Sequence, residues 1–157
     1  MQLSSPSPVR ATTLLIMTLV SLWGCDRKTS DRDLVYVDPF QAVEALNKPA
    51  SGFSKRVQGV FVDGRSPAEF AAGHIAGAIS LPFPSMTSEA SLVLAPYNAF
   101  VVYGTDYQDI IAVAASKRLM ELGFDNVYTL SGGLKVWQTA GNPVETGVPA
   151  PAAAPQQ

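Results

Sequence analysis

Residues 100–103 (Phe100, Val101, Val102, Tyr103) form a short apolar run that passes directly into a polar loop at 104–109. A helical pattern follows, in which Ile111, Ala115, Leu119 and Leu122 fall at i, i+4, i+8 and i+11, one stripe of a 3.6-residue period. A strand that runs through a loop into a helix start is a common way to build a site. Backbone N–H groups at a helix start lack intrahelical partners, and the positive end of the helix dipole lies behind them. The pattern repeats upstream and downstream. Residues 34–37 and 59–62 read as strands, residues 74–82 as a turn and a strand stopped by Pro82 and Pro84, and residues 126–130 as a last strand. Strands alternating with helices predict an α/β fold with a parallel sheet covered on both faces.

The helix boundaries are written in the sequence. Asp38-Pro39-Phe40-Gln41 and Ser66-Pro67-Ala68-Glu69 each place an N-cap, a proline at the first helical position and Gln or Glu at the third. The first helix is expected to pack Phe40, Val43 and Leu46 and to end by Pro49; the second is closed by Gly73. Residues 49–58 read as a polar loop and residues 85–94 as a helix ended by Pro96. Gly123 ends the helix after the loop. A final helix carries Trp137 between Gly132-Gly133 and Gly141-Asn142-Pro143.

Composition narrows the chemistry. A chain of 157 residues, 47% hydrophobic, suits one domain with a real core. One cysteine, Cys25, and one histidine, His74, argue against a disulfide framework and a Cys/His metal site, and no cofactor is indicated. Two aspartates three apart, Asp106 and Asp109, are weak ground for a metal ion. A formal charge of −2 offers no basic footprint for nucleic acid.

The termini read as an address and a tail. Residues 11–23 are largely apolar, follow Arg10, and are too short to span a bilayer, which fits the core of a secretory signal over 1–24. Leu22-Trp23-Gly24-Cys25 resembles the bacterial lipobox, with Trp23 where that motif carries a small residue. The resemblance implies cleavage before Cys25, lipidation of that residue and attachment to a membrane; a plain signal peptide is the alternative. Asp26 matches the residue that favours the inner membrane in enteric-type lipoproteins. Residues 25–33 form a charged, polar tether, the folded domain spans 34–147, and the Pro/Ala-rich residues 148–157 read as a disordered tail.

Within the domain, Asp63-x-Arg65, Glu69 and Gly73-His74-Ile75-x-Gly77-Ala78 resemble the first signature of the rhodanese-like family. Leu130-x-Gly132-Gly133-x-x-x-Trp137-x-x-x-Gly141-x-Pro143-Val144 resembles the second, in the right order and spacing. The resemblance covers essentially the whole domain and implies a five-stranded parallel sheet flanked by helices. Asp63 and Arg65 are then expected to fix the strand-to-helix turn, Glu69 to cap or to pair with Arg65, His74 to be structural rather than a base, and Trp137 to be core. Active members carry the persulfide-forming cysteine where this chain has Gly104. Their chemistry needs a thiolate stabilised by loop N–H groups and often by Arg or Lys. Here the loop is Gly104, Thr105, Asp106, Tyr107, Gln108 and Asp109, and the span from Gly104 to Gly123 is slightly longer than the family's usual spacing. The reading is a catalytically inactive rhodanese-like domain of the cell envelope, with the 104–109 loop and Tyr107 as candidate contacts for a protein partner. The alternative is a sulfurtransferase using a non-standard nucleophile or a partner's thiol. Thr105 is a poor candidate, because no base adjoins it and His74 lies in another segment. A purely structural role is a third reading.

Overall fold

The computed structural model describes residues 28–48 and 58–148. Residues 1–27, 49–57 and 149–157 lie outside the described residues, and with them the expected signal segment, Cys25, Pro49 and most of the expected 49–58 loop, and nearly all of the expected tail.

Five parallel strands form the sheet expected from the sequence: β1 (Val35–Val37), β2 (Gly59–Asp63), β4 (Ile79–Ser80), β5 (Ala99–Tyr103) and β6 (Val127–Leu130), in the order β1-β6-β5-β2-β4. A separate antiparallel ribbon pairs β3 (His74–Ile75) with β7 (Val144–Glu145). β5 lies at the centre and every one of its residues is buried. Its alternation divides the core. Val101 and Tyr103 face one layer with Leu46 of α1 (Pro39–Leu46), Phe70 of α2 (Pro67–Ala72) and Trp137 of α5 (Gly133–Thr139). Phe100 and Val102 face the other with Met86 of α3 (Met86–Val93) and Leu119 of α4 (Ile111–Glu121). A side chain buried on each face of a central strand is what a doubly covered parallel sheet requires.

Both capping boxes are present. Asp38 accepts from the Gln41 N–H while Gln41 accepts from the Asp38 N–H, and Ser66 and Glu69 make the same reciprocal pair. The face of α1 departs from expectation. Phe40 is 78% exposed and Val43 is also exposed, whereas Ala42, Ala45 and Leu46 are buried. The reason is close approach: a Cβ at Gly59 would lie 2.5 Å from Leu46 Cα, so α1 presses its small face onto β2 and turns its large residues outward. In α4 the stripe is rotated. Ala115 and Leu119 are buried as expected, but Ala112 and Ser116 join them while Ile111 and Leu122 sit at the margin. Ser116 is tolerated there because its hydroxyl bonds that of Thr129 at 2.8 Å.

The described part of the tether, residues 28–33, stays largely exposed but has a short 3-10 turn at Asp31–Asp33, capped by Ser30. Asp31 pairs with Lys117 of α4, so this segment runs along the domain rather than away from it.

Candidate functional site

The C-terminal ends of β2, β5 and β6 bring three segments together, the usual place for a site in a parallel sheet. After β2, Arg65 grips Asp63 through Nε to Oδ1 at 2.9 Å and Nη2 to Oδ2 at 2.6 Å, while the Arg65 N–H donates to Oδ1 at 3.0 Å. Nη2 also donates to the Gly73 carbonyl at 2.8 Å, tying the turn after β2 to the end of α2. Burial disfavours the Arg65 charge, and the hydrogen bonds and charge of Asp63 outweigh it, leaving the guanidinium pKa raised. Glu69 serves the cap. The Ser66 side chain, followed by its backbone N–H, holds the Glu69 carboxyl below its ordinary range.

His74 is buried, with Nδ1 2.9 Å from the Phe70 carbonyl and its ring stacked on Phe70 at 3.7 Å. Its Nε2 faces Glu145 at 3.7 Å, on β7, not the 104–109 loop. Trp137 is buried, packs edge-on against Phe61, and donates from Nε1 to the Pro143 carbonyl at 2.9 Å. Gly77 turns the chain between β3 and β4 at φ +73°. The Tyr103 hydroxyl accepts from the Ile75 N–H at 3.1 Å, and burial pushes its pKa up.

The loop itself is not empty. Asp109 reaches back across it: Oδ2 accepts from the Thr105 N–H at 2.7 Å and Oδ1 from the Ile111 N–H at 2.8 Å. The Ile111 N–H at the helix start and the Thr105 N–H after β5 are thereby both satisfied by an internal carboxylate. A Cβ at Gly104 would lie 2.6 Å from Asp109 Oδ2. Asp106 folds the tip by accepting from the Gln108 N–H at 2.9 Å. From the β6 side, the N–H groups of Leu134 and Lys135 donate to the carbonyls of Gly104 and Thr105 at 2.9 and 3.0 Å, so the start of α5 buckles the loop down. Gly132 (φ +73°) and Gly133 (φ +56°) permit this. A Cβ on Gly133 would collide with the Gly104 carbonyl, and one on Gly132 would lie 2.7 Å from the Tyr107 ring. Tyr107 thus rests on Gly132 yet remains 75% exposed.

A cleft of about 630 Å³ opens beside the loop, with Glu69, Asp106 and Asp109 among its lining residues and Arg65 the only cation among the described ones. Thr105 lines it too, with no base brought against its hydroxyl among the described contacts. Asp109, expected from the sequence as a loop contact and weak ground for a metal ion, instead bonds the loop's own backbone. A local signal was available, since an Asp side chain commonly bonds the backbone N–H two residues on.

Comparison with known proteins places this geometry in a family. The model of the rhodanese-like domain matches residues 44–140. The thiosulfate sulfurtransferase GlpE of Pseudomonas entomophila is 35% identical over 95 residues, covering 58% of this chain and 82% of that protein. GlpE of Pseudomonas putida is 34% identical over 113 residues, covering 70% and 89%. Among solved structures, the rhodanese-like domain of the Anabaena Alr3790 protein superposes with a TM-score of 0.57 at 25% identity, covering 78% of this chain and 88% of that domain. The signatures at Asp63–Ala78 and Leu130–Val144, the parallel sheet and these relatives agree: the chain belongs to the rhodanese-like domain family.

Proposed function

We propose that this chain is a non-catalytic rhodanese-like module, exported and held at a bacterial membrane by lipid on Cys25, that binds an envelope protein through its 104–109 loop. The observation that carries the reading is at Gly104. β5 ends there in a residue without a side chain, and the Asp109 carboxylate stands over it. Sulfur transfer through a persulfide needs a thiolate in electropositive surroundings. The described residues contain no cysteine, and the loop presents Asp106 and Asp109 beside Glu69. Arg65, the cation lining this cleft, is engaged by Asp63 and Gly73. Tyr107 and Ile110, 75% and 77% exposed on the same loop, favour recognition over chemistry. The apolar run ending at Leu22-Trp23-Gly24-Cys25 supports export and anchoring, and Asp26 supports the inner membrane.

The full chain, assayed with thiosulfate and cyanide beside GlpE of Pseudomonas putida, is expected to release no thiocyanate above the blank. Turnover that vanishes on Thr105→Ala or His74→Ala would overturn the non-catalytic reading. Labelling with a fatty-acid analogue is expected to mark the wild type and not Cys25→Ser; no label in either removes the anchor.

A further inference from the structure

Resting on the non-catalytic reading above, we propose that Asp109 is the resident occupant of the loop's anion seat, an internal carboxylate that closes the site to external anions. Its two oxygens take one N–H from each side of the loop, Thr105 after β5 and Ile111 in the first turn of α4, at 2.7 and 2.8 Å. These are the lengths of charge-assisted bonds, and the carboxylate sits where the α4 dipole favours negative charge. Being part of the same short loop, it competes at an effective concentration that a weakly binding free anion does not reach.

Gly104 and Asp109 depend on each other. The seat is open to the carboxylate because residue 104 has no Cβ; one would stand 2.6 Å from Oδ2 and 2.9 Å from Cγ. A side chain at 104 and the Asp109 bridge are therefore alternatives for one volume. The approach is guarded as well. An anion entering the cleft meets Glu69 and Asp106, and the Arg65 guanidinium is already bonded to Asp63 and the Gly73 carbonyl. The device makes two claims: the native domain ignores small oxyanions at this position, and the anion seat is still built underneath.

The test follows the backbone amides of Thr105 and Ile111 by NMR in the full chain, titrated with sodium thiosulfate against sodium chloride at matched ionic strength. In the native chain both signals are expected to respond alike to the two salts. In Asp109→Ala they are expected to move saturably with thiosulfate alone, with affinity at least about tenfold above any seen in the native chain, the loss of one charge-assisted competitor. Asp109→Asn, which keeps a side chain of the same shape without the charge, is expected to move in the same direction and serves if the alanine variant loses its folded spectrum. A native chain that binds thiosulfate as tightly as the variants overturns the proposal, and so does a folded variant that ignores thiosulfate. Thiocyanate release by the native chain would instead overturn the non-catalytic reading, so the two failures are distinct.

Discussion

Arg65 closes on Asp63 by two side-chain bonds and one backbone bond, with the two side chains 5% and 0% exposed. The pair stands between the end of β2 and the start of α2, and through Gly73 it also fixes where α2 stops. It holds the floor of the cleft rather than offering a free charge to it.

Arg65→Ala leaves the Asp63 carboxylate buried and uncompensated, and is expected to cost about 3–5 kcal/mol in urea unfolding. Arg65→Lys is expected to rescue only part of this, because an ammonium cannot reproduce the paired geometry. A loss below about 1 kcal/mol, the range of an exposed ion pair, would show that the pair is not structural.

The Gly104–Asp109 relationship has its own signature in stability. Gly104→Cys alone must push the carboxylate off Thr105 and Ile111, and is expected to cost about 1–2 kcal/mol, the net value of hydrogen bonds to a charged group. In the Asp109→Gly background the same substitution is expected to cost little. The double-mutant cycle should therefore give a coupling above about 0.5 kcal/mol; strict additivity would mean the two positions do not compete.

Glu69 predicts a pH response of definite sign. Its folded pKa lies below the ordinary glutamate value of 4.5, chiefly through the Ser66 side-chain hydrogen bond. The stability it contributes is therefore complete above that value and is lost as the pH falls through the folded pKa. The Glu69 carboxyl carbon, followed by NMR, should titrate below 4.5, and Ser66→Ala should move the midpoint up. A midpoint unchanged by Ser66→Ala would show that the capping box does not hold the charge.

Tyr107→Ala removes a ring that rests on Gly132 but is largely exposed, so folding stability is expected to change by less than about 0.5 kcal/mol. Crosslinking in membranes is expected to lose a partner in this variant. An identical partner set in wild type and variant would count against recognition through the loop and favour a purely structural domain.

Much of this protein is legible before folding, because the features concerned are local. Capping boxes at Asp38/Gln41 and Ser66/Glu69, prolines at first helical positions and apolar runs set the alternation of strands and helices and hence a parallel sheet, and the family signatures implied its five strands. Gly104 is a fact of the sequence, and so is the acidic loop around it. Tertiary packing decided the rest. Phe40 and Val43 have the larger apolar surface, yet α1 turned Ala42 and Ala45 inward because Gly59 lets Leu46 come to the sheet. The β3–β7 ribbon pairs His74 with Glu145, two positions far apart in the folded domain's sequence, and its two-residue strands are too short to carry a pattern. At the loop, composition shows two aspartates that repel anions. Only the fold turns one of them inward, where the N–H groups of Thr105 and Ile111 converge and the missing Cβ of Gly104 leaves room for a carboxylate.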